Sequence, residues 1–193
     1  MKTQKIFLIL IVVASLILAG CASTNPSQDM PTVAPVIPQS PELTNKDPQN
    51  ATYLIDGKAI TLVNGVAEIE AAPGSASKQV IRYFGNSVDI DLNGDGAIDS
   101  AFLLEQDSGG SGVFYFAAAA LNTPDGYVGT NAIFIGDRVA PQNTEIDFND
   151  SAQFIVNYLD RKPDEPMSAQ PSQGISRWFK LEGDALVEVT QIP

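Results

Sequence analysis

Residues 88–105 read VDIDLNGDGAIDSAFLLE. Apolar side chains dominate both ends of this stretch, whereas residues 91–99 in its middle are mostly polar and include two glycines. Short apolar segments on either side of a polar, glycine-containing turn are typical of two β-strands joined by a loop. The stretch therefore predicts a strand–loop–strand unit, and the chain from residue 51 onward repeats this alternation of short strands and turns.

The loop also carries a regular series of oxygen ligands for a hard cation. Every second position supplies one, namely the side chains of Asp91, Asn93, Asp95 and Asp99 and the main-chain carbonyl of Ala97. Calcium takes about six to eight oxygens from short curled segments of this kind. Gly96 permits the sharp turn that most residues resist, and Ile98 is predicted to point away and pin the loop to the core. We predict a weakly bound structural Ca²⁺ here.

The first nine positions of the loop resemble the EF-hand consensus. Position twelve, however, is Phe102 instead of the bidentate Glu, and the flanking residues predict strands instead of helices. The loop is more similar to the strand–loop–strand calcium loops of FG-GAP repeats. Those repeats occur in arrays, whereas this chain has one copy, so the resemblance implies a calcium site and no propeller. A polar turn without an ion is the alternative.

The composition excludes several classes of function. The chain has 193 residues, 11 Lys and Arg, 23 Asp and Glu, and no His. A chain of this length accommodates one short domain with flanking segments. Without His there is no Ser-His-Asp or Cys-His catalysis and no histidine-ligated zinc. The net charge of −12 disfavours binding to nucleic acid or to anionic lipid headgroups.

The first 20 residues predict a bacterial lipoprotein signal peptide. Lys2 and Lys5 precede an apolar run over residues 6–18, which is too short to span a membrane comfortably but suits a signal peptide. The run ends in Leu-Ala-Gly-Cys at residues 18–21, which resembles the lipobox of bacterial lipoproteins. The resemblance implies cleavage before Cys21 and attachment of diacylglycerol to it. An ordinary secretory signal with a chance Cys is the alternative.

These features predict an extracytoplasmic protein anchored in the bacterial cell envelope. Cys21 is the single cysteine, so no internal disulfide can form. Ala22 follows it instead of Asp, which resembles the sorting pattern for the outer membrane where the bacterium has one. Loss of two lysines with the signal peptide leaves a net charge of −14, 9 basic against 23 acidic side chains. The membrane attachment must therefore come from acyl chains.

Residues 21–50 predict a disordered tether. The segment contains six prolines separated mainly by Ser, Thr, Asn and Gln. Such a composition cannot bury enough apolar surface to fold. A proline-rich chain extends by about 3.1 Å per residue, so the tether would hold the domain up to roughly 90 Å from the membrane.

Residues 51–193 predict one all-β domain, a sandwich or small barrel of about a dozen short strands. Asp56-Gly57 and Asn64-Gly65 are strong hairpin signals and predict a three-strand meander from residue 53 to residue 70. Further turns are predicted at Gly85-Asn86, Asn149-Asp150 and Gly183-Asp184. Residues 127–135 predict one strand. The four alanines at 117–120 favour helix by propensity, but the aromatic run before them favours a strand.

Four stretches together resemble a group of uncharacterised bacterial secreted proteins and lipoproteins that have one β-rich domain. They are residues 91–99, 110–115, 136–138 and 164–167. The resemblance covers about residues 51–190. It implies a β-rich fold and an extracytoplasmic location, and it implies no biochemical activity.

Other motifs give weaker indications of function. Ser75 and Lys78 match the Ser-x-x-Lys nucleophile motif, but the partner elements of that chemistry do not occur in the sequence. Glu68 and Glu70 share a strand face, which leaves open a carboxylate-based envelope hydrolase acting on glycan or peptidoglycan. Tyr127 and Trp178 are candidates for carbohydrate binding, and the charged loop at residues 160–167 is a further candidate binding segment. We predict no catalytic residue. The favoured hypothesis is a binding or structural role with an envelope protein or glycan as partner.

Overall fold

The computed structural model describes residues 46–190, which form twelve β-strands after one short 3-10 turn at Pro48–Asn50. The strands are β1 (Thr52–Ile55), β2 (Lys58–Thr61), β3 (Val66–Glu70), β4 (Lys78–Ile90), β5 (Asp99–Asp107), β6 (Val113–Thr123), β7 (Gly126–Gly129), β8 (Ile133–Asp137), β9 (Ala140–Asp147), β10 (Asp150–Asp160), β11 (Gln173–Glu182) and β12 (Ala185–Val189).

The strands build three antiparallel sheets, which confirms the all-β prediction. The central sheet has the order β3-β4-β5-β6-β7, with β8 also paired to β6, and a second sheet has the order β12-β11-β10-β9. The hairpin β1-β2 is the third sheet. None of the described sheets closes into a barrel. Of the two predicted architectures, the structure therefore agrees with the sandwich and not with the small barrel.

The sandwich has three layers because the central strands bury both of their faces. Ala101 and Leu103 of β5 belong to a core shared with Phe154 and Phe179 of the four-stranded sheet. Phe102 of β5 belongs to a second core, shared with Tyr53 and Leu62 of the hairpin layer. A strand buried on both faces needs a continuous apolar run instead of an alternating one. The run over residues 101–104 meets that need.

The alanines at residues 117–120 lie in β6, as the aromatic run before them predicted. All four are fully buried, and they alternate between the two cores. Tertiary packing therefore overrides the helix propensity of alanine. Small side chains at the centre of the middle layer leave room for larger ones from the layers on either side.

The predicted three-strand meander is wrong. The β1-β2 hairpin forms at Asp56-Gly57 as expected, and a tight turn at Asn64-Gly65 is closed by hydrogen bonds between Val63 and Val66. However, β3 pairs with β4 in the central sheet, and the only β-bridge that joins it to the β2 side among the described residues is the one between Val63 and Val66 at that turn. A turn dipeptide specifies a local reversal of the chain, whereas the pairing partner of the next strand depends on which layer buries it.

Two more strand boundaries differ from the prediction. Gly85-Asn86 is a β-bulge inside the long strand β4, with φ values of 94° and 51° and shifts of register on both sides. Left-handed residues suit bulges as well as turns, so the dipeptide alone does not separate the two. The single strand predicted at 127–135 is divided into β7 and β8, which pair with successive halves of the same edge of β6.

The described chain begins inside the last residues of the predicted tether. Asp47 caps the 3-10 turn by accepting a hydrogen bond from the amide of Gln49, and the Tyr53 hydroxyl donates to the Pro48 carbonyl at 2.5 Å. Burial raises the pKa of Tyr53. The signal peptide, Cys21 and the tether up to residue 45 lie outside the described residues. No helix within residues 46–190 is long and apolar enough to cross a membrane.

Candidate calcium loop

The predicted strand–loop–strand unit is present, with residues 91–98 connecting β4 to β5. Ile90 and Asp99 are paired in register at the base of the loop. Gly94 and Gly96 have φ values of 76° and 86°, a region that L side chains rarely adopt, and they allow the loop to curl back on itself.

Three of the predicted ligands hold the loop through hydrogen bonds to its own backbone, among them Asp95, which accepts from the amide of Ala97 at 2.7 Å. Asp91 accepts from the amides of Gly94 and Gly96 at 2.8 and 3.0 Å, one on each carboxylate oxygen. The Asn93 side-chain oxygen accepts from the amide of Asp95 at 3.0 Å, and the Asn93 side-chain amide donates to the Asp95 carboxylate at 3.0 Å. The Asp91 carboxylate therefore lies on the inside of the curl.

The fourth side chain, Asp99, connects the loop to the central sheet. It is completely buried, and its two carboxylate oxygens accept from the amides of Leu92 at 3.0 Å and Asn122 at 2.8 Å. Burial raises the pKa of Asp99, the two amide hydrogen bonds oppose that rise, and the charges of Asp95 and Asp91 add to it. The three carboxylates are therefore close enough to repel one another.

The residue that anchors the loop is Leu92 and not Ile98. Leu92 is only 4% exposed and belongs to the core beneath the four-stranded sheet, whereas Ile98 is 53% exposed. The prediction that Ile98 pins the loop is therefore wrong. The loop has two large apolar side chains, and nothing in their spacing tells which one faces the core. Asn122 was missed as well, because it contributes its backbone amide and that contribution leaves no signal in the sequence.

The chemistry of the loop suits a calcium ion. Calcium prefers oxygen ligands, and an ionised carboxylate oxygen that accepts one amide hydrogen bond retains a further lone pair. The acidic side chains are nevertheless turned toward backbone amides. Within the described part of the chain, no three Asp, Glu, Cys or His side chains converge as a ready metal-binding group. The calcium ligand set stays a prediction.

Two of the four stretches that suggested a family meet at another corner of the domain, and a third lies in a loop that is attached to the same corner. Val113 and the Asp137-Arg138 corner are joined by backbone and side-chain hydrogen bonds, including one from the Val113 amide to the Asp137 carboxylate at 3.1 Å. Arg161 donates to the carbonyls of Arg138 at 3.0 Å and Ala169 at 2.7 Å. It thereby attaches the loop that contains residues 164–167. Arg138 lowers the pKa of Asp137. These contacts hold the chain in place at the corner, so they give the stretches a structural role.

The candidate catalytic residues have structural contacts at the edge of the central sheet. Ser75 accepts a hydrogen bond from the amide of Ser77 at 3.0 Å. Lys78 makes an exposed ion pair with Glu68 at 2.5 Å. Glu70 accepts from the amide of Gly74 at 3.0 Å. None of these contacts favours a nucleophile or an acid–base pair, so the hydrolase hypothesis gains no support from them.

The candidate carbohydrate-binding aromatics are both half-buried. Tyr127 packs against the core beneath the hairpin, and Trp178 lies on β11 of the four-stranded sheet. Neither ring forms an exposed platform. Comparison with known proteins adds no assignment, because the chain matches no family model, no curated protein and no solved structure.

Proposed function

We propose that this protein is a lipid-anchored component of the bacterial cell envelope whose β domain is stabilised by one calcium ion at residues 91–99. Its role is binding or structural, with an envelope protein or glycan as the partner, and it is attached to the membrane through Cys21. The observation that supports the calcium site best is the environment of Asp99. A buried carboxylate, repelled by two neighbouring ones, joins the loop to the centre of the fold.

The sequence around the loop strengthens the electrostatic argument. Residues 88–105 contain no Lys or Arg, so no basic residue of this stretch compensates the loop carboxylates. A divalent cation would relieve the repulsion among Asp91, Asp95 and Asp99. Those three carboxylates, the Asn93 side-chain oxygen and the Ala97 carbonyl would hold the ion. The ion would supply positive charge and a cross-link between the ends of β4 and β5.

The expected stabilisation is modest. Extracellular calcium modules bind with dissociation constants of about 0.1 to 1 mM. At about 1 mM calcium and a constant near 0.1 mM, binding to the folded state alone contributes roughly 1.4 kcal/mol. For a domain of this size, that corresponds to a rise of about 3 to 6 °C in melting temperature.

Thermal unfolding in calcium and in chelator tests the site. The wild-type protein should melt a few degrees higher in calcium, and magnesium should produce little of this shift because it demands a stricter octahedral geometry. Asp95→Asn should reduce the shift, since it removes one charge from the loop. Asp125→Asn, an exposed substitution at the β6–β7 turn, is the matched control and should keep it. Identical melts in calcium and chelator, with no calcium found by elemental analysis, would remove the ion from the proposal.

Membrane attachment is tested separately. Cys21→Ser should release the protein from the membrane fraction or leave the precursor uncleaved, whereas Ala22→Ser should leave processing and attachment intact. Unchanged retention and processing of Cys21→Ser would refute the lipid anchor. This result would not bear on the calcium site, because the two experiments report on different parts of the chain.

A further inference from the structure

The hairpin layer is much smaller than the sheet it covers. The strands β1 and β2 have 4 residues each, whereas β6 has 11. At a rise of about 3.3 Å per residue, these lengths are roughly 13 Å and 36 Å. The face of the central sheet next to the hairpin tip at Asp56-Gly57 is therefore left open. The opposite face is covered by four strands.

Three phenylalanine rings lie in this open region. Phe114 and Phe116 are on β6, and Phe134 lies directly across from Phe116 on β8. The Phe134 ring centroid is 6.2 Å from that of Phe114 in a tilted pair and 5.6 Å from that of Phe116 in a T-shaped pair. Phe116 is buried, but Phe134 is 48% exposed. Together with Asp56 and Gln106, the three rings line a cavity of about 240 Å³.

The cavity has one charged side chain among its lining residues, and this charge is negative. The Asp56 carboxylate stands at its rim and has no hydrogen-bond or ion-pair partner within residues 46–190. Lys58 lies two residues further along the hairpin and lines an adjoining smaller cavity, but it forms no ion pair with Asp56 among the described residues. Gln106 donates a long hydrogen bond to Gln79 at 3.4 Å.

We propose that this cavity binds an organic ammonium cation, such as a trimethylammonium group. The faces of aromatic rings attract cations through their quadrupole, and a nearby carboxylate adds an ion pair with the same ligand. An anionic ligand would be repelled by Asp56 and by the net charge of −12. A bare metal ion would find one carboxylate, one amide and three rings, whereas hard cations need many oxygens.

This site is independent of the calcium loop. Its lining comes from the β1–β2 turn, the end of β5, the start of β6 and β8, and it shares no residue with residues 91–99. The cation site can therefore be correct whether or not the loop binds calcium.

Two ligands of the same shape and different charge test the proposal. Choline and its neutral carbon isostere, 3,3-dimethylbutan-1-ol, should be titrated into the full chain at constant ionic strength and followed by ligand-observed NMR. Choline should bind about tenfold more tightly than the isostere, because the isostere retains the apolar contact and loses the charge. Equal affinities would show only an apolar surface and would overturn the proposal. Absence of saturable choline binding would overturn it as well.

Two variants with matched controls locate the binding. Phe134→Leu retains an apolar side chain without the ring face and should weaken choline binding about tenfold. Asp56→Asn should weaken it about threefold, the effect of an exposed ion pair. The controls are Phe148→Leu, at a ring that is 98% exposed on another hairpin, and Asp184→Asn at the β11–β12 turn. Both controls should bind as the wild type does. Choline binding that neither Phe134→Leu nor Asp56→Asn changes would exclude this cavity.

Discussion

The two faces of the central sheet are covered in different ways by neighbouring layers. One face packs against four strands and forms a core with Phe154, Val156 and Phe179. The other face packs against a two-stranded hairpin and forms a core with Tyr53, Ile60 and Leu62, beside an aromatic cavity. The same central strands serve both faces, so the difference arises from the covering layer. A wide layer produces a closed core, whereas a narrow one leaves room for a ligand.

Substitution of two adjacent leucines on β5 tests this difference most directly. Leu103 and Leu104 are both completely buried, but Leu103 faces the four-stranded sheet and Leu104 faces the hairpin side. Leu→Ala at either position should cost about 2 to 5 kcal/mol of unfolding free energy. We expect the cost to be near the upper end of this range for Leu103→Ala and near the lower end for Leu104→Ala. The short hairpin can collapse more easily into the space that the lost leucine side chain leaves.

Equilibrium denaturation of the two variants and the wild type checks this order. The slope of the transition should be the same in all three proteins, so that the midpoints report stability alone. A larger loss for Leu104→Ala than for Leu103→Ala would show that the hairpin layer is as rigidly packed as the larger sheet. The width of the covering layer would then not decide how much stability a buried leucine contributes.

The hairpin and the four-stranded sheet are hydrogen-bonded to the segment around Asn131 in different ways. Its backbone neighbours hold the hairpin, because Leu54 exchanges hydrogen bonds with the Thr130 carbonyl and the Ala132 amide. Its side chain holds the four-stranded sheet, donating to the Leu186 carbonyl at 2.9 Å and accepting from the Leu186 amide at 2.8 Å. A substitution at Asn131 therefore removes the tie to one layer and leaves the tie to the other in place.

Asn131→Ala should destabilise the domain by about 1 to 3 kcal/mol, because it leaves a partly buried amide and carbonyl of Leu186 without partners. Asn131→Asp retains the acceptor and loses the donor, so its loss should be smaller. Hydrogen exchange should show faster exchange at the Leu186 amide in Asn131→Ala and unchanged exchange at Leu54. Faster exchange at Leu54 to the same extent would mean that the two ties are not separate.

The sequence predicts the parts of this fold that depend on neighbouring residues. The β11–β12 hairpin turns at Gly183-Asp184 as predicted, and the β9–β10 hairpin forms with its turn at Phe148-Asn149, one residue before the predicted Asn149-Asp150. The apolar run of β5 and the aromatic run at the start of β6 predict strands, and both strands form. The curled loop at residues 91–99 also follows from the spacing of its side chains and glycines.

The rest depends on contacts that no local pattern specifies. The layer in which β3 pairs is decided by burial after the Asn64-Gly65 turn, and the bulge at Gly85-Asn86 uses the same left-handed residues as a turn. The attachment of the loop at residues 91–99 to the central sheet uses the Asn122 amide, a main-chain group on another strand that donates to Asp99. Because every residue except proline has such an amide, its role leaves no trace in residue types.

Arg177 provides a further tie between the four-stranded sheet and the central sheet. It donates to the Phe134 carbonyl at 2.8 Å and forms a two-pronged ion pair with Glu188 at 2.5 and 2.7 Å. The hydrogen bond and charge of Arg177 lower the pKa of Glu188. A carboxyl group with a lowered pKa stabilises the folded state above its unfolded pKa, and this contribution is lost as pH falls through the folded pKa.

Glu188→Gln should therefore lower stability at pH 7 by less than about 1 kcal/mol, because the Glu188 side chain is 44% exposed and solvent screens the pair. The difference between wild type and variant should shrink as pH falls below the ordinary pKa of a glutamate and vanish once pH is below the lowered pKa of Glu188. Denaturation over a series of pH values from 7 downward measures it. Glu182→Gln, in the more exposed pair with Lys180, is the control and should have a smaller effect. A loss from Glu188→Gln that does not change with pH would come from packing instead of charge, and Arg177 would then hold the layers through its carbonyl contact alone.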